Sequence, residues 1–488
     1  MRDYDVCIIG GGPAGLACLS AICENYSLDS LSEDQVNRAA RCMHKLRYPR
    51  KSVCVIDPHS EWMEGWKEKF RALDIDFLRS PALAHPNAFD KNALLAYAIE
   101  NNREDELIES GCSDQKSLLR LGETQIGLWK LPSTKLFLDF CDDLSTRLSY
   151  DFIQGTVKDL SKVFLSDNSH PEEEECFQVT LNDGIIVKAT SVILAMGTVG
   201  ENIVPPGLAE VPTIFKYQWT EMDRIPTGAE TVLVVGGGLS AVQAANRALR
   251  QNKRVVLCSR RPLVERHFDL HFDWFDRRTS TKCMADFYHL SVQERLRLLK
   301  ESRDGGSVPP IYMNDIRKWE RSGMLKVVVG DAQYDRSIDV AMLPAAGGVS
   351  TSSTNSSSVQ VWIQGEPQIF DAIVLACGVQ PDCARSALIN NITEKWPIDI
   401  IGGFPSITED LKWTTDNLFV VGGMGSLNIG PDAGNLMGMK RAAQVVANSL
   451  DCRCWMRECD VLSNRFEAFL SDEETTESEA ESTSSLED

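Results

Sequence analysis

The sequence has no run of 18 consecutive apolar residues, which is the length that an ordinary transmembrane helix needs. Only a short apolar stretch follows the first five residues, so we expect no signal peptide. Basic residues are too few to attract phosphate backbones or anionic lipid, because 50 Lys and Arg stand against 70 Asp and Glu and give a net charge of −20. These deficits argue against a membrane-spanning protein, an exported protein and a nucleic-acid-binding protein.

The Cys-x-x-Cys pair of thioredoxin-like redox sites is also absent. The 15 cysteines are odd in number and lie scattered through segments with the patterns of buried strands and helices. Such usage is typical of a reduced intracellular compartment rather than of a disulfide framework, so we predict a cytoplasmic location. Cys452 and Cys454 form a Cys-x-Cys pair close to Cys459, which we interpret as free thiols, with a distal redox shuttle as the alternative.

The composition is that of a folded chain, with 43% hydrophobic and 25% charged residues. A length of 488 residues allows two to four domains at about 100–200 residues each. The end of the chain differs, because residues 471–488 hold eight acids and no base and have almost nothing apolar. We interpret residues 461–488 as a disordered acidic tail, which is either a solubilising segment or a binding site for a basic partner.

Three apolar runs, at residues 6–9, 232–235 and 418–421, lead directly into glycine-rich turns. Small or alanine-rich segments with helical character follow the turns. A strand, a glycine-rich turn and a helix in succession form the core of a nucleotide-binding βαβ unit. The spacing predicts an α/β fold with two Rossmann-like dinucleotide-binding domains, the second inserted in the first, and a closing strand, turn and helix.

The first turn has the sequence Gly-Gly-Gly-Pro-Ala-Gly. Gly10 allows a tight turn, Gly12 lets the backbone approach a pyrophosphate, and Gly15 lets the helix pack closely on the strand. The phosphates would lie against free N–H groups at the positive end of the helix, beside Pro13 and Ala14. We therefore predict a dinucleotide site here, with a purely structural glycine turn as the alternative.

An acidic residue, Asp57, ends the strand that follows the first unit, where a carboxylate can accept hydrogen bonds from ribose hydroxyls. It lies 42 residues after Gly15, whereas about 20 would be typical. The extra length falls between Cys23 and Lys51, in a polar insertion to which the sequence assigns no role.

The second turn repeats the pattern with Gly236, Gly238 and Ala241. The strand after it ends in Arg260 and Arg261 rather than in an acid. Arginine can pair with a 2′-phosphate through several charge-assisted hydrogen bonds, so the pattern favours NADPH over NADH. The alternative is that both arginines are only a solvated strand end.

With these motifs, the chain resembles the FAD- and NAD(P)H-dependent oxidoreductases with two dinucleotide-binding domains, and specifically the flavin-dependent monooxygenases of the lysine/ornithine N-hydroxylase branch. Two segments, 192–197 and 371–378, are similar to the family's Ala-Thr-Gly hinge motif, although Met196 and Cys377 replace the Thr. Residues 417–423 and 430–435 resemble the segment that closes over the flavin. The resemblance adds five candidate cofactor-binding residues, namely Gly197, Gly378, Gly423, Asp432 and Asn435.

The resemblance implies that FAD binds residues 1–225 together with the closing part, 386–460, and that NADPH binds residues 226–385. It implies that the helix starting near Asn435 points its N-terminus at the flavin pyrimidine, where negative charge develops on reduction. His85 and Asn435 are the candidates for a catalytic role. A structural histidine that caps its turn is the favoured interpretation of His85, with a proton relay as the alternative.

The implied activity is hydroxylation of a small organic substrate such as an amine, with hydride from NADPH and with oxygen as acceptor. A homo-oligomer is compatible with the resemblance. Residues 379–381, Val-Gln-Pro, stand where N-hydroxylases prefer an aromatic residue, and the Phe-x-Gly-x-x-x-His fingerprint of related monooxygenases is absent. Two other functions therefore stay open: a reductase that passes electrons to a quinone, disulfide or protein, and a non-catalytic flavoprotein that senses redox state.

His267 and His271 lie four residues apart with Asp269 and Asp273 between and beside them. On a helix this spacing would place both imidazoles on one face as a metal site. Aromatic residues are as frequent in this segment, so we interpret it as a packing or substrate-facing segment and expect no metal.

Overall fold

The computed structural model describes residues 2–23, 51–88, 90–109, 129–165, 174–275, 277–303, 305–336, 358–413 and 417–450. The insertion after Cys23 and the predicted acidic tail lie outside these residues.

The strands alternate with helices in most of the described chain, as expected for an α/β protein. In chain order they are β1 Arg2–Ile9, β2 Val53–Asp57, β3 Leu107–Ile108, β4 Leu131–Pro132, β5 Asp151–Gln154, β6 Val157–Leu165, β7 Glu174–Leu181, β8 Ile186–Leu194, β9 Gly200–Asn202, β10 Lys216–Gln218, β11 Thr231–Val235, β12 Arg254–Ser259, β13 Leu325–Val329, β14 Ala332–Tyr334, β15 Val359–Ile363, β16 Glu366–Phe370, β17 Ala372–Leu375, β18 Val379–Pro381, β19 Ile400–Ile401, β20 Phe404–Pro405 and β21 Leu418–Val420.

The helices of the described residues are α1 Pro13–Cys23, α2 Glu64–Leu73, α3 Ala93–Glu100, α4 Thr134–Thr146, α5 Leu239–Arg250, α6 Arg277–His289, α7 Val292–Arg303, α8 Pro310–Arg321, α9 Ala387–Lys395, α10 Ser426–Ile429 and α11 Leu436–Ser449. Within the described ranges, each helix is too short or too polar to cross a bilayer. Both nucleotide-type turns precede a helix that the sequence predicts, α1 and α5.

The first sheet has the strand order β5-β2-β1-β8-β7-β6, and β21 also pairs with β8. β1 runs parallel to β2 on one side and to β8 on the other. Its residues Val6, Cys7 and Ile8 are fully buried, as expected for a parallel strand that is covered on both faces. The parallel part of this sheet brings the ends of β1, β8 and β21 to one edge.

The second sheet has the order β10-β17-β11-β12-β13, and every neighbouring pair is parallel. A small antiparallel sheet, β14-β15-β16, shares a hydrophobic cluster with one of its faces. One strand of the second sheet, β10, precedes residue 226, the predicted start of the second domain. After this sheet the chain returns to the first sheet as β21, so the α/β class with parallel sheets is confirmed.

The two sheets are joined where the chain leaves β8 and where it leaves β17. The strands that follow them, β9 and β18, pair antiparallel with Asn202 opposite Val379. Gly200 has no room for a side chain, because a Cβ would lie 2.2 Å from the carbonyl oxygen of Gln380. The two connections therefore run against each other as a paired ribbon between the sheets.

Candidate functional site

The first glycine turn joins β1 to α1 in a conformation that two of its positions reserve for glycine. Gly10 has a φ of +121°, and a Cβ there would lie 2.4 Å from the carbonyl oxygen of Ala195. A Cβ on Gly15 would lie 2.0 Å from the carbonyl oxygen of Gly10. The turn is therefore tight, and α1 starts directly against the strand, as the sequence predicts.

Gly12 differs from both of these glycines because a Cβ built on it would meet no atom within 4 Å. The space in front of it lies at the end of β1, where the order of the parallel strands puts a topological switch point between β1 and β8. Gly197 and Gly422 approach from the neighbouring strand ends, and a Cβ on Gly422 would lie 4.0 Å from the Cα of Gly197. The floor of this space is bare backbone at a helix N-terminus, which suits a pyrophosphate.

Asp57 braces the first turn from the end of β2. Its Oδ2 accepts a hydrogen bond of 2.7 Å from the backbone N–H of Gly11, and its Oδ1 accepts one of 2.9 Å from His59. Both oxygens therefore already hold the backbone around the turn. Contact with a ribose stays a prediction, since each carboxylate oxygen can accept a further hydrogen bond.

The second glycine turn, between β11 and α5, repeats this geometry. Gly236 has a φ of +149°, and a Cβ there would lie 2.3 Å from the carbonyl oxygen of Ala376 and 3.0 Å from the Cβ of Ala241. A Cβ on Gly237 would lie 2.3 Å from Oγ of Ser259. Gly238 is the N-cap of α5, and no side chain caps the helix there. The turn thus also presents a helix N-terminus to a ligand.

The two arginines after β12 have different surroundings. Arg260 is exposed at the carboxyl end of the second sheet. Arg261 is half-buried, and its Nη2 donates a hydrogen bond of 3.2 Å to the carbonyl oxygen of Gly306. Gly378, at the end of β17, has a φ of +89° and no atom within 4 Å of a Cβ position, as has Gly197 with a φ of +76°.

The closing segment ends at α11, whose N-cap is Asn435, where the resemblance predicts a helix start. Nδ2 of Asn435 donates at 3.2 Å to both carboxylate oxygens of Asp269, so a residue of the long segment after β12 fixes this amide. A Cβ on Gly423 would lie 2.1 Å from Oγ1 of Thr198, which places the segment directly against the backbone after β8.

Asp432 is fully buried and pairs with Arg441. Its oxygens accept from Nη1 at 2.9 Å and from Nη2 at 2.5 Å. Nη2 of Arg441 also donates to the carbonyl oxygen of Ile429. Asp432 therefore holds the loop before α11 against the helix, and its contact with a cofactor stays a prediction.

His85 lies in the core of the first unit, with no exposed surface. Its ring packs edge-on against Phe140 at 5.3 Å, and its Nε2 is 3.3 Å from the carbonyl oxygen of Lys91. Burial, together with the nearby charge of Lys440, keeps the pKa of the imidazole well below its ordinary value. The ring is therefore neutral at physiological pH, which favours the structural interpretation over a proton relay.

The segment with the paired histidines is not a helix; only Phe272–Trp274 forms a short 3₁₀ turn. The two imidazoles therefore do not share a helix face, and the helical premise of a metal site is wrong. Phe268, Leu270 and Phe275 instead join Trp129 and Leu131 in a buried cluster, which confirms the packing interpretation. In the part of the chain that the structure describes, no group of three His, Cys, Asp or Glu residues could hold a metal ion.

Arg79 is a residue whose part in the site the sequence analysis missed. It comes from the loop after α2, and its guanidinium donates to acceptors that all belong to the second unit: the carbonyl oxygens of Arg266 at 3.0 Å, His267 at 2.9 Å and Ser307 at 3.2 Å, and Oγ of Ser307 at 2.8 Å. Burial lowers its pKa to about 10, with Asp269 opposing the shift, so the group stays charged. No local pattern in the sequence signals a side chain whose partners are backbone carbonyls so far along the chain.

Two parallel sheets, each with a glycine turn at its carboxyl edge, define a nucleotide-binding α/β architecture. No family model matches the chain, and no curated protein matches it by sequence. Three solved structures share its fold. The ornithine N-hydroxylase of Kutzneria sp. 744, with reduced FAD, NADP+ and L-ornithine, is 16% identical and has a TM-score of 0.61 over 93% of this chain and 100% of that chain.

The reduced ornithine hydroxylase of Pseudomonas aeruginosa is 14% identical, with a TM-score of 0.60 over 92% of this chain and 98% of its own. The L-lysine 6-monooxygenase of Pseudomonas syringae is 16% identical, with a TM-score of 0.58 over 92% of this chain and 99% of its own. At such identities the likeness shows a shared fold, and it extends over nearly the whole of these chains.

Proposed function

We propose that the protein is an FAD-dependent monooxygenase that takes hydride from NADPH and hydroxylates the nitrogen of a small amine. The observation that carries this proposal is the pair of glycine turns in a fold that matches three amine-hydroxylating or lysine-oxygenating enzymes from end to end. Two turns provide for two nucleotides, as a reaction with both FAD and NADPH requires.

The residues of the first turn fit FAD. The open space at Gly12 would receive the pyrophosphate, and the backbone N–H groups at the start of α1 would face it. The N-terminus of α11, after Asn435, would point its positive end toward the flavin ring. The chemistry that bound FAD supplies is acceptance of hydride and activation of oxygen.

The protein's own residues would position the cofactors and keep water out. Asp57 holds the first turn, and Asp269 holds Asn435 at the start of α11. Arg260 and Arg261 would recognise the 2′-phosphate of NADPH at the second turn. The aromatic cluster around Trp129 and Phe268 packs between the two units and would exclude water from their junction.

We further propose the division into a first nucleotide domain, an inserted second domain and a closing part, because the chain returns to the first sheet as β21. A cytoplasmic location, self-association and binding of a basic partner by the acidic tail stay predictions from the sequence.

The proposal is tested with purified protein loaded with FAD and supplied with NADPH in air. We expect NADPH consumption to rise when ornithine, lysine or cadaverine is added, and a hydroxylamine to form in proportion. The control is the same mixture without amine. NADPH consumption that ignores all amines but rises with a quinone or a disulfide would instead support the reductase.

A further inference from the structure

The two glycine turns differ in what lies in front of them. No atom lies within 4 Å of a Cβ position on Gly12, but Gly306 lies against Gly238, the corresponding glycine of the second turn. A Cβ on Gly306 would be 3.1 Å from the Cα of Gly238 and 3.8 Å from its nitrogen. We call residues 305–307 the cover loop, since they lie over the start of α5.

The cover loop adopts a backbone that side chains would hinder. Gly305 and Gly306 have φ values of +67° and +96°. A Cβ on Gly305 would lie 2.6 Å from Nη2 of Arg261. This close packing on three sides, against Gly238, Arg261 and the following buried Ser307, shows a fitted contact rather than a loosely placed loop.

Two arginines from different parts of the chain hold the cover loop. Arg261 donates to the carbonyl oxygen of Gly306 at 3.2 Å, and Arg79 donates to both the carbonyl oxygen and Oγ of Ser307. Arg266 adds a third contact at 3.3 Å from its Nε to Oγ of Ser307. Arg79 belongs to the first unit, so the loop over the second turn is tied to the first unit.

We propose that the cover loop is a lid that closes the second glycine turn, and that Arg79 latches it shut from the first unit. This inference rests on the proposed binding of NADPH at that turn. A pyrophosphate that approaches the N–H of Gly238 must displace Gly306, because the two backbones are in contact. A phosphate is also a stronger acceptor for Arg261 than the carbonyl of Gly306, so binding replaces the contact that holds the lid.

Opening of the lid moves Ser307, which follows Gly306, away from Arg79. The buried guanidinium then loses two of the four acceptors that it has in the closed state. The latch therefore opposes nucleotide binding, and occupation of the second turn loosens the contact between the units. By linkage, removal of the latch must strengthen nucleotide binding.

The test measures the Kd of NADP+ for FAD-loaded wild-type protein, for Arg79→Gln and for Arg317→Gln. Arg317 is an exposed arginine of the same unit that pairs with Glu265, so its replacement controls for a lost positive charge. We expect Arg79→Gln to bind NADP+ about 5- to 10-fold more tightly, within the usual range of coupling between sites, and the control to bind as the wild type does. Loss of a cation near a phosphate site would by itself weaken binding, so the direction of the change is diagnostic.

A second measurement uses the wild-type protein alone and does not depend on how a variant folds. Hydrogen exchange of the Gly306 amide, which donates to the carbonyl oxygen of Arg303, should quicken when NADP+ binds. Slower or unchanged exchange, or weaker binding by Arg79→Gln, would overturn the lid while leaving the proposed function intact. Failure of the wild type to bind NADP+ saturably would overturn both.

Discussion

Substitution of Gly12 by alanine separates binding from folding at the first turn. The added methyl group meets no atom within 4 Å, and Gly12 does not have a positive φ. Alanine at such a position stabilises a protein by about 0.4–1 kcal/mol, chiefly because the unfolded chain loses freedom. We therefore expect Gly12→Ala to fold as well as the wild type or slightly better.

The same methyl group occupies the space that we assign to the pyrophosphate of FAD. Displacement of a phosphate oxygen from one backbone N–H removes a hydrogen bond to a charged group, which is worth about 1.5–3 kcal/mol. At about 1.4 kcal/mol per factor of ten, the Kd for FAD should rise about 10- to 140-fold.

The assay combines urea unfolding of the apoprotein with titration of FAD by flavin fluorescence. Gly15→Ala is the contrasting variant, because its Cβ would lie 2.0 Å from the carbonyl oxygen of Gly10 and should destabilise the fold itself. Retention of wild-type FAD affinity by a well-folded Gly12→Ala protein would refute the assignment of this space to the pyrophosphate.

Three further predictions address other parts of the structure. Arg260→Ala should reduce the preference for NADPH over NADH, measured as the ratio of kcat/KM values; an unchanged ratio would contradict a role in 2′-phosphate recognition. Asp432→Ala should cost about 3 kcal/mol in urea unfolding, because it leaves the largely buried Arg441 without its partner; a cost near zero would contradict the importance of that pair. Hydrogen bonds from Arg103 and Ser133 lower the pKa of Glu106 from 4.5 to about 2, so its stabilising effect is complete above pH 4.5 and is lost as the pH falls toward 2. Unfolding at several pH values should therefore show a smaller loss over this interval for Glu106→Gln, and equal losses would argue against it.

The sequence predicted those parts of the molecule that depend on local pattern. Glycine at positions 10, 15 and 236 is imposed by contacts within one strand, turn and helix or with the adjacent strand, so spacing alone reveals it. The helix start at Asn435 was predicted for a different reason, the resemblance to a known family.

The missed features depend on contacts between distant parts of the chain. Arg79 and Ser307 are 228 residues apart, and most acceptors of this arginine are main-chain oxygens, which every residue type carries. The cover loop shows only two adjacent glycines, a pattern shared by many turns. The helical interpretation of the histidine pair failed because burial of the neighbouring aromatic residues, rather than helical spacing, determines that segment.

The most direct test of the central claim is one absorbance titration. Protein incubated with FAD and freed of excess flavin is titrated with NADPH in the absence of oxygen. The account predicts one bound flavin per chain, and its visible absorbance should bleach fully with an equimolar amount of NADPH. A colourless protein, or a bound flavin that NADPH leaves unbleached, would contradict it.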